Sequence, residues 1–170
     1  MIAKFLRGFI DGSLATLGIV IGASSATSSI IIAAAIGGTV ANTLSNVLSA
    51  ISATGAEEYG ELRSVERAMV AHDMKGTSLE RAIGRRAALG GVVDGIGTLA
   101  GGILPVLPYL LHLPHPALVA VGIVTGATGV VGLYMGRITK QNLFFSAAKM
   151  VVFAGVIAVA VYFVELLIVP

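Results

Sequence analysis

The stretch FIDGSLATLGIVIG, residues 9–22, decides the fold, because it is apolar almost throughout and yet contains a carboxylate, Asp11. An apolar run of this length, continued on both sides, predicts a helix that crosses a bilayer. An ionisable side chain inside such a helix is costly and usually has a function. The stretch therefore predicts a membrane span that carries a functional acid.

The composition extends this prediction to the whole chain. Of its 170 residues, 56% are hydrophobic and 12% are charged, and the mean hydropathy is +0.94. In a soluble domain about a quarter of the residues are charged, so this composition predicts an integral membrane protein and not a soluble one. The absence of Cys excludes disulfides and thiolate metal sites. The net charge is only +2, and no aromatic residues are interleaved with the Lys and Arg residues as on a nucleic-acid-binding surface. We therefore predict no nucleic-acid partner.

Five apolar segments are long enough to cross a bilayer as helices, and none shows the strict alternation of a barrel strand. We predict an all-α membrane protein with one transmembrane domain, residues 1–170, and a cytoplasmic helical segment at 57–83. Within that segment His72, Asp73 and Met74 are further possible ligands, and residues 75–78 predict a turn. The predicted spans are about 5–24, 30–55, 84–109, 116–137 and 143–168.

The basic residues predict the orientation of these spans. The 11 Lys and Arg residues lie at the N-terminus, between spans two and three, and around the start of span five. The connections at 22–29 and 111–116 and the C-terminal end contain none. Because Lys and Arg are enriched in cytoplasmic loops, we expect the N-terminus in the cytoplasm and the C-terminus outside.

Asp11 has a counterpart in span three, Asp94. On a helix, each shares a face with small residues, and the two strips are similar enough to predict duplication of a two-helix unit. Asp11 is either functional or a helix cap paired with Lys4 or Arg7. Asp94 is either a second protonatable group or a partner of Arg85 or Arg86. The two strips are Gly8, Asp11, Ala15, Gly18 and Gly22, and Gly91, Asp94, Thr98, Gly101 and Pro105.

Oxygen-bearing side chains in and after span two predict a site for a small divalent cation or a proton path. Asn42 and Asn46 lie within the span, and Glu57, Glu58 and Glu61 follow it. Repulsion among these glutamates is relieved by a bound cation or, alternatively, by salt bridges to Arg63, Arg67 or Arg85. No nucleotide or nucleophile motif occurs, so we predict a protein that is not an enzyme and holds no permanent cofactor.

Four stretches resemble the vacuolar iron transporter family. DGSLATLGIVIG (11–22) is similar to the signature of its first span, and ANTLSNVLSAISATGAEEYGE (41–61) is similar to its second. GILPVLPYLL (102–111) is similar to the proline-rich end of its third span. The segment at 136–167 is similar to its basic junction and last helix. The resemblance extends over nearly the whole chain, in the same order.

The resemblance implies a homodimer that exports Fe²⁺ or Mn²⁺ from the cytoplasm against protons, along a path between the two copies of spans one and two. It implies that Asp11 is the carboxylate that binds metal and protons, and that the glutamates after span two receive metal. Where the family has a Met, this chain has Thr54, which lines the path and favours a harder ion such as Mn²⁺.

These features predict an integral membrane protein in the plasma membrane of a prokaryote, surrounded by lipid, with divalent metal and protons as its partners. Asp94 is a candidate second proton-coupling group. The sequence is also compatible with two other functions. One is a scaffold or regulatory subunit that keeps the fold without transport. The other is a channel for a small solute or a monovalent ion, lined by Ser and Gly.

Overall fold

The computed structural model of the protein describes residues 1–68, 78–140 and 142–168. The possible ligands His72, Asp73 and Met74 lie outside the described residues, and so does the predicted turn at 75–78 except for Ser78. The described part of the chain contains helices and connections but no strand.

The described residues form six α-helices, and five regions among them are long and apolar enough to cross a membrane. This number confirms the predicted five-span, all-α fold. In chain order the helices are α1 (Ile2–Gly22), α2 (Ser28–Ala68), α3 (Ser78–Ile103), the short α4 (Leu107–Leu110), α5 (Pro116–Ile138) and α6 (Leu143–Ile168).

Prolines shape the end of the third span. Helix α3 gives way to a 3₁₀ turn, Leu104–Val106, and then to α4, with Pro105 and Pro108 as the second residues of these two elements. A proline lacks the N–H that a continuing helix needs, but it is tolerated where a new helical turn begins. The chain reverses through His112 and His115, which have left-handed φ angles of 49° and 50°, and α5 then begins at Pro116.

Helices α1, α2 and α3 form the bundle that carries the site. Helix α3 runs parallel to α1, because Gly97 and Gly101 approach Phe5 and Phe9 in the same order. Helix α2 runs antiparallel to both. Helices α5 and α6 form an antiparallel pair that packs against α1. A buried apolar core that includes Leu17, Val20 and Val124 joins the two groups.

Glycines allow α1 and α3 to approach at backbone distance. A Cβ at Gly8 would overlap the Asp94 carbonyl, and one at Gly12 would overlap the Thr98 carbonyl. On the opposing helix, a Cβ at Gly97 or Gly101 would overlap a carbonyl of α1. Both helices therefore contribute a Gly-x-x-x-Gly pair, the pattern that lets membrane helices pack closely. This contact fixes the level of Asp94 relative to α1.

The two ends of the bundle differ in their polar contacts. At the end where the chain begins, the Lys4 ammonium donates to Thr54 Oγ1 at 3.1 Å. At the other end, Glu165 Oε1 accepts from Ser24 Oγ at 2.6 Å and from the Ser25 N–H at 3.1 Å. Helix α2 has 41 residues, about 60 Å, so it extends well beyond a hydrocarbon layer of about 30 Å. The predicted orientation of the ends stays a prediction.

Candidate ion site

Asp11 lies near the middle of a membrane-spanning helix. Helix α1 begins at Ile2, nine residues and about 14 Å before Asp11, and it ends at Gly22. The alternative that Asp11 caps the start of this helix is therefore wrong. Asp11 is also on the exposed face of the chain, not in its core.

Two amides from α2 hold the Asp11 carboxylate. Asn42 Nδ2 donates to Asp11 Oδ2 at 2.9 Å, and Asn46 Nδ2 donates to the same oxygen at 2.6 Å. The two asparagines are four residues apart, so successive turns of one helix face present them together. Among the described residues, nothing donates to the second oxygen, Asp11 Oδ1. The predicted residues Asp11, Asn42 and Asn46 thus form one cluster.

The cluster continues into α3 through Thr98. Asn46 Nδ2 also donates to Thr98 Oγ1 at 3.1 Å, and the Thr98 hydroxyl donates to the backbone carbonyl of Asp94 at 3.0 Å. Thr98 is fully buried. Since Asn46 contacts both α1 and α3, one side chain ties the three helices together at the level of Asp11.

Asp94 forms an ion pair with Arg7 of α1. Arg7 Nε lies 3.0 Å from Asp94 Oδ1, and the two side chains are 62% and 3% exposed respectively. Two ion pairs that the sequence suggested are not formed. Asp94 does not pair with Arg85 or Arg86, and Arg7 does not pair with Asp11. Although the two aspartates occupy similar strips in the sequence, their surroundings differ. Asp11 has neutral partners, whereas Asp94 is buried with a cation.

A cavity of about 230 Å³ connects the two aspartates. It is large enough for several water molecules or a hydrated ion. Because the polar groups lie on three different helices, small relative movements of these helices change the shape of the cavity. Its lining includes Arg7, Asp11, Asn46, Ser49 and Asp94.

Thr54 and the glutamates of α2 lie apart from this cluster. The Thr54 hydroxyl accepts from the Lys4 ammonium, so a positive charge already occupies the position beside it. Glu58 follows Asn46 by twelve residues, about 18 Å along the helix. Glu57 and Glu61 are exposed, while Glu58 Oε2 is buried with no hydrogen-bond partner in the described part of the chain.

The predicted salt bridges of these glutamates are also missing. Within residues 1–68, 78–140 and 142–168, Glu57, Glu58 and Glu61 form no ion pair with Arg63, Arg67 or Arg85. In the same residues no group of three His, Cys, Asp or Glu side chains converges as a metal site. Any cation site among the described residues of one chain therefore has fewer than three such side chains and needs neutral oxygens or water to complete it.

Five helices long and apolar enough to cross a membrane, one of them with a mid-helix carboxylate held by amides, define an α-helical integral membrane protein. Residues 50–165 match the profile of the VIT family, a match that begins in α2 and ends in α6. An uncharacterized protein of Methanocaldococcus jannaschii is 42% identical over 160 residues, which cover 92% of this chain and 83% of that protein. The chain therefore belongs to the VIT family, and this membership indicates a metal or ion transporter.

Proposed function

We propose that this protein exports a divalent transition metal, Fe²⁺ or Mn²⁺, from the cytoplasm of a prokaryote in exchange for protons, and that it does so as a homodimer. The observation that carries the proposal is the position of Asp11. It is a carboxylate near the middle of a membrane-spanning helix, and its hydrogen-bond donors among the described residues are two neutral amides. Its charge is thus available to a cation or a proton.

The proposed ligands are all oxygens. Asp11 Oδ1 and the side-chain oxygens of Asn42 and Asn46 are free of hydrogen bonds within the described residues, and Ser49 lines the same cavity. Carboxylate, amide and water oxygens suit Mn²⁺ and, less selectively, Fe²⁺. We leave Thr54 out of the ligand set, because the Lys4 ammonium beside it repels a cation.

A homodimer gives the exposed position of Asp11 a physical reason. A carboxylate that faces lipid at this depth is disfavoured by a few kcal/mol even on lenient insertion scales. A second copy packed on the exposed faces of α1 and α2 would cover Asp11 and bring two equivalent carboxylates together. Leu44 and Leu48 on α2 are 66% and 67% exposed in the single chain, as expected of a surface that contacts lipid or another helix.

The glutamates at the end of α2 have a separate role in this proposal. Glu57, Glu58 and Glu61 lie too far along α2 to bind the same ion as Asp11, but they form an acidic entrance on the N-terminal side of the bundle. Such a concentration of negative charge raises the local concentration of cations. Glu58 Oε2 is buried and has no hydrogen-bond partner in the described part of the chain, so it is able to accept one.

The experiment that tests this proposal is transport by the purified protein in lipid vesicles. One dye reports Mn²⁺ or Fe²⁺ and a second reports pH on the opposite side. The proposal expects metal flux with proton movement in the opposite direction, and acceleration of the flux by an imposed proton gradient. Metal flux without proton movement would contradict the antiport mechanism.

The same vesicles separate the two other functions. Flux of K⁺, Na⁺ or a small neutral solute without metal flux would identify a channel. Absence of any flux in vesicles whose protein is folded and correctly inserted would favour a scaffold or regulatory subunit. Each of these results would overturn the proposed metal export.

A further inference from the structure

The position of Arg7 raises a question about the candidate ion site. Arg7 and Asp11 are four residues apart on α1, so their side chains are neighbours on one helix surface, and both line the same cavity. A guanidinium beside the cargo carboxylate would act as its permanent counter-ion. It would then compete with any cation that the site is meant to bind.

The structure shows where the guanidinium is held instead. Arg7 Nε lies 3.0 Å from Asp94 Oδ1 on the neighbouring helix, and Arg7 has no other hydrogen bond among the described residues. The Asp94 carboxylate is 3% exposed. A buried carboxylate in a membrane helix strongly favours a cationic partner, because leaving it unpaired is costly.

The backbone keeps this pair in register. Gly8, the residue after Arg7, lies directly against the Asp94 carbonyl, so the two side chains start from adjacent points of α1 and α3. The Thr98 hydroxyl donates to the same carbonyl and accepts from Asn46, which in turn holds Asp11. One network thus fixes Asp94 beside Arg7 and Asp11 beside the amides.

We propose that Asp94 is a positioning residue that holds Arg7 away from Asp11 and thereby keeps Asp11 available to a cation. The inference rests on the proposed function, since it concerns access of the transported metal to Asp11. With Arg7 bound to Asp94, these two charges cancel and the remaining charge of the cavity is that of Asp11. Without the Asp94 charge, Arg7 turns to Asp11 and neutralises it.

Two substitutions together separate the role of Asp94 from that of Arg7. Asp94→Asn releases Arg7, whose charge is then one helical turn from the Asp11 carboxylate. Because this cation repels Mn²⁺, we expect the Mn²⁺ affinity to fall by at least about tenfold. Adding Arg7→Gln to Asp94→Asn removes the competing cation. We expect the double variant to recover the affinity to within about threefold of the wild-type protein, a factor well below one decade.

The test is Mn²⁺ binding to the purified full chain in detergent, measured by loss of the electron paramagnetic resonance signal of free Mn²⁺. Thermal unfolding of each variant is measured alongside. Glu165→Gln is the control, because it makes the same carboxylate-to-amide change at the other end of the bundle, where the carboxylate binds Ser24 and Ser25. We expect this control to bind Mn²⁺ like the wild type.

The outcomes distinguish the two levels of the proposal. Weak binding by Asp94→Asn with recovery in the double variant supports the positioning role. Wild-type-like affinity of a destabilised Asp94→Asn variant shows a structural ion pair only and overturns the inference. Weak binding by Asp94→Asn and by the double variant, both folded, also overturns it. Absence of Mn²⁺ and Fe²⁺ binding and transport in the wild type overturns the proposed function itself.

Discussion

At the scale of single residues, Asp11 depends on its amide partners. Hydrogen bonds to a charged group contribute about 1.5–3 kcal/mol, and the alternative for this carboxylate is lipid or trapped water. Asn42 and Asn46 both donate to Asp11 Oδ2, and Asn46 also donates to Thr98. Asn46 therefore stabilises both the charge and the contact between three helices.

Replacing Asn46 tests this double role. We expect Asn46→Leu to lower the free energy of unfolding by about 1–3 kcal/mol, because Asp11 loses one donor and the bridge to Thr98 is broken. Unfolding of the purified protein in detergent measures the change. Ser45→Ala is the control, at the preceding, exposed position of α2. Equal stability of the Asn46 and Ser45 variants would contradict the account of the network.

At the scale of helices, the contact between α1 and α3 determines which charges meet. The sequence strips align Asp11 with Asp94 and Gly8 with Gly91. In the structure, Gly8 lies against Asp94, and Gly12 lies against Thr98. This register is displaced by three residues, almost one helical turn, from the alignment of the repeat. The displacement brings Arg7, and not Asp11, to Asp94.

The α1–α3 contact has a direct stability test. We expect Gly12→Ala to lower the free energy of unfolding by about 1–3 kcal/mol, because the new methyl group would overlap the backbone of Thr98, which cannot rotate away. Gly126→Ala on α5 is the matched control, since a Cβ there meets nothing within 4 Å. The control should be neutral or more stable, as Ala is the better helix former by about 1 kcal/mol. Similar losses for both variants would contradict close packing at Gly12.

The helices follow from the sequence more directly than the contacts between them do. Hydropathy and span lengths were sufficient for the five-helix fold, and the cost of a charge in lipid identified Asp11 and Asp94 as unusual. Composition could not determine the helix register, because Gly strips pack in several registers at similar distance. The Arg7–Asp94 and Lys4–Thr54 contacts depend on that register, so the sequence alone assigned neither pair.

At the scale of the whole molecule, the exposed position of Asp11 is the main reason to expect a dimer. In the single chain Asp11 and Ala15 are exposed on α1, and Asp11 contacts α2, on which Leu44 and Leu48 are also exposed. A two-fold symmetric contact through these faces would place the two copies of Asp11 near one axis. The cavity beside Asp11 would then be closed partly by the second copy.

Cross-linking tests the predicted dimer surface. The chain contains no Cys, so a single Ala15→Cys substitution introduces the only thiol. We expect oxidation in native membranes to join two Ala15→Cys chains into a covalent dimer. Val130→Cys on α5, where the side chain is 65% exposed, is the control and should remain monomeric on denaturing gels. Efficient cross-linking through position 130 but not position 15 would place the dimer contact on another face.

The most direct test of the central claim compares Asp11→Asn with Glu165→Gln in the vesicle transport assay. Both variants replace a carboxylate by an amide of the same shape, at mid-helix in one case and at the end of the bundle in the other. We expect Asp11→Asn to abolish both metal flux and the opposing proton flux, and Glu165→Gln to retain both. Metal-coupled proton flux that persists in Asp11→Asn at the wild-type rate would contradict the role of Asp11.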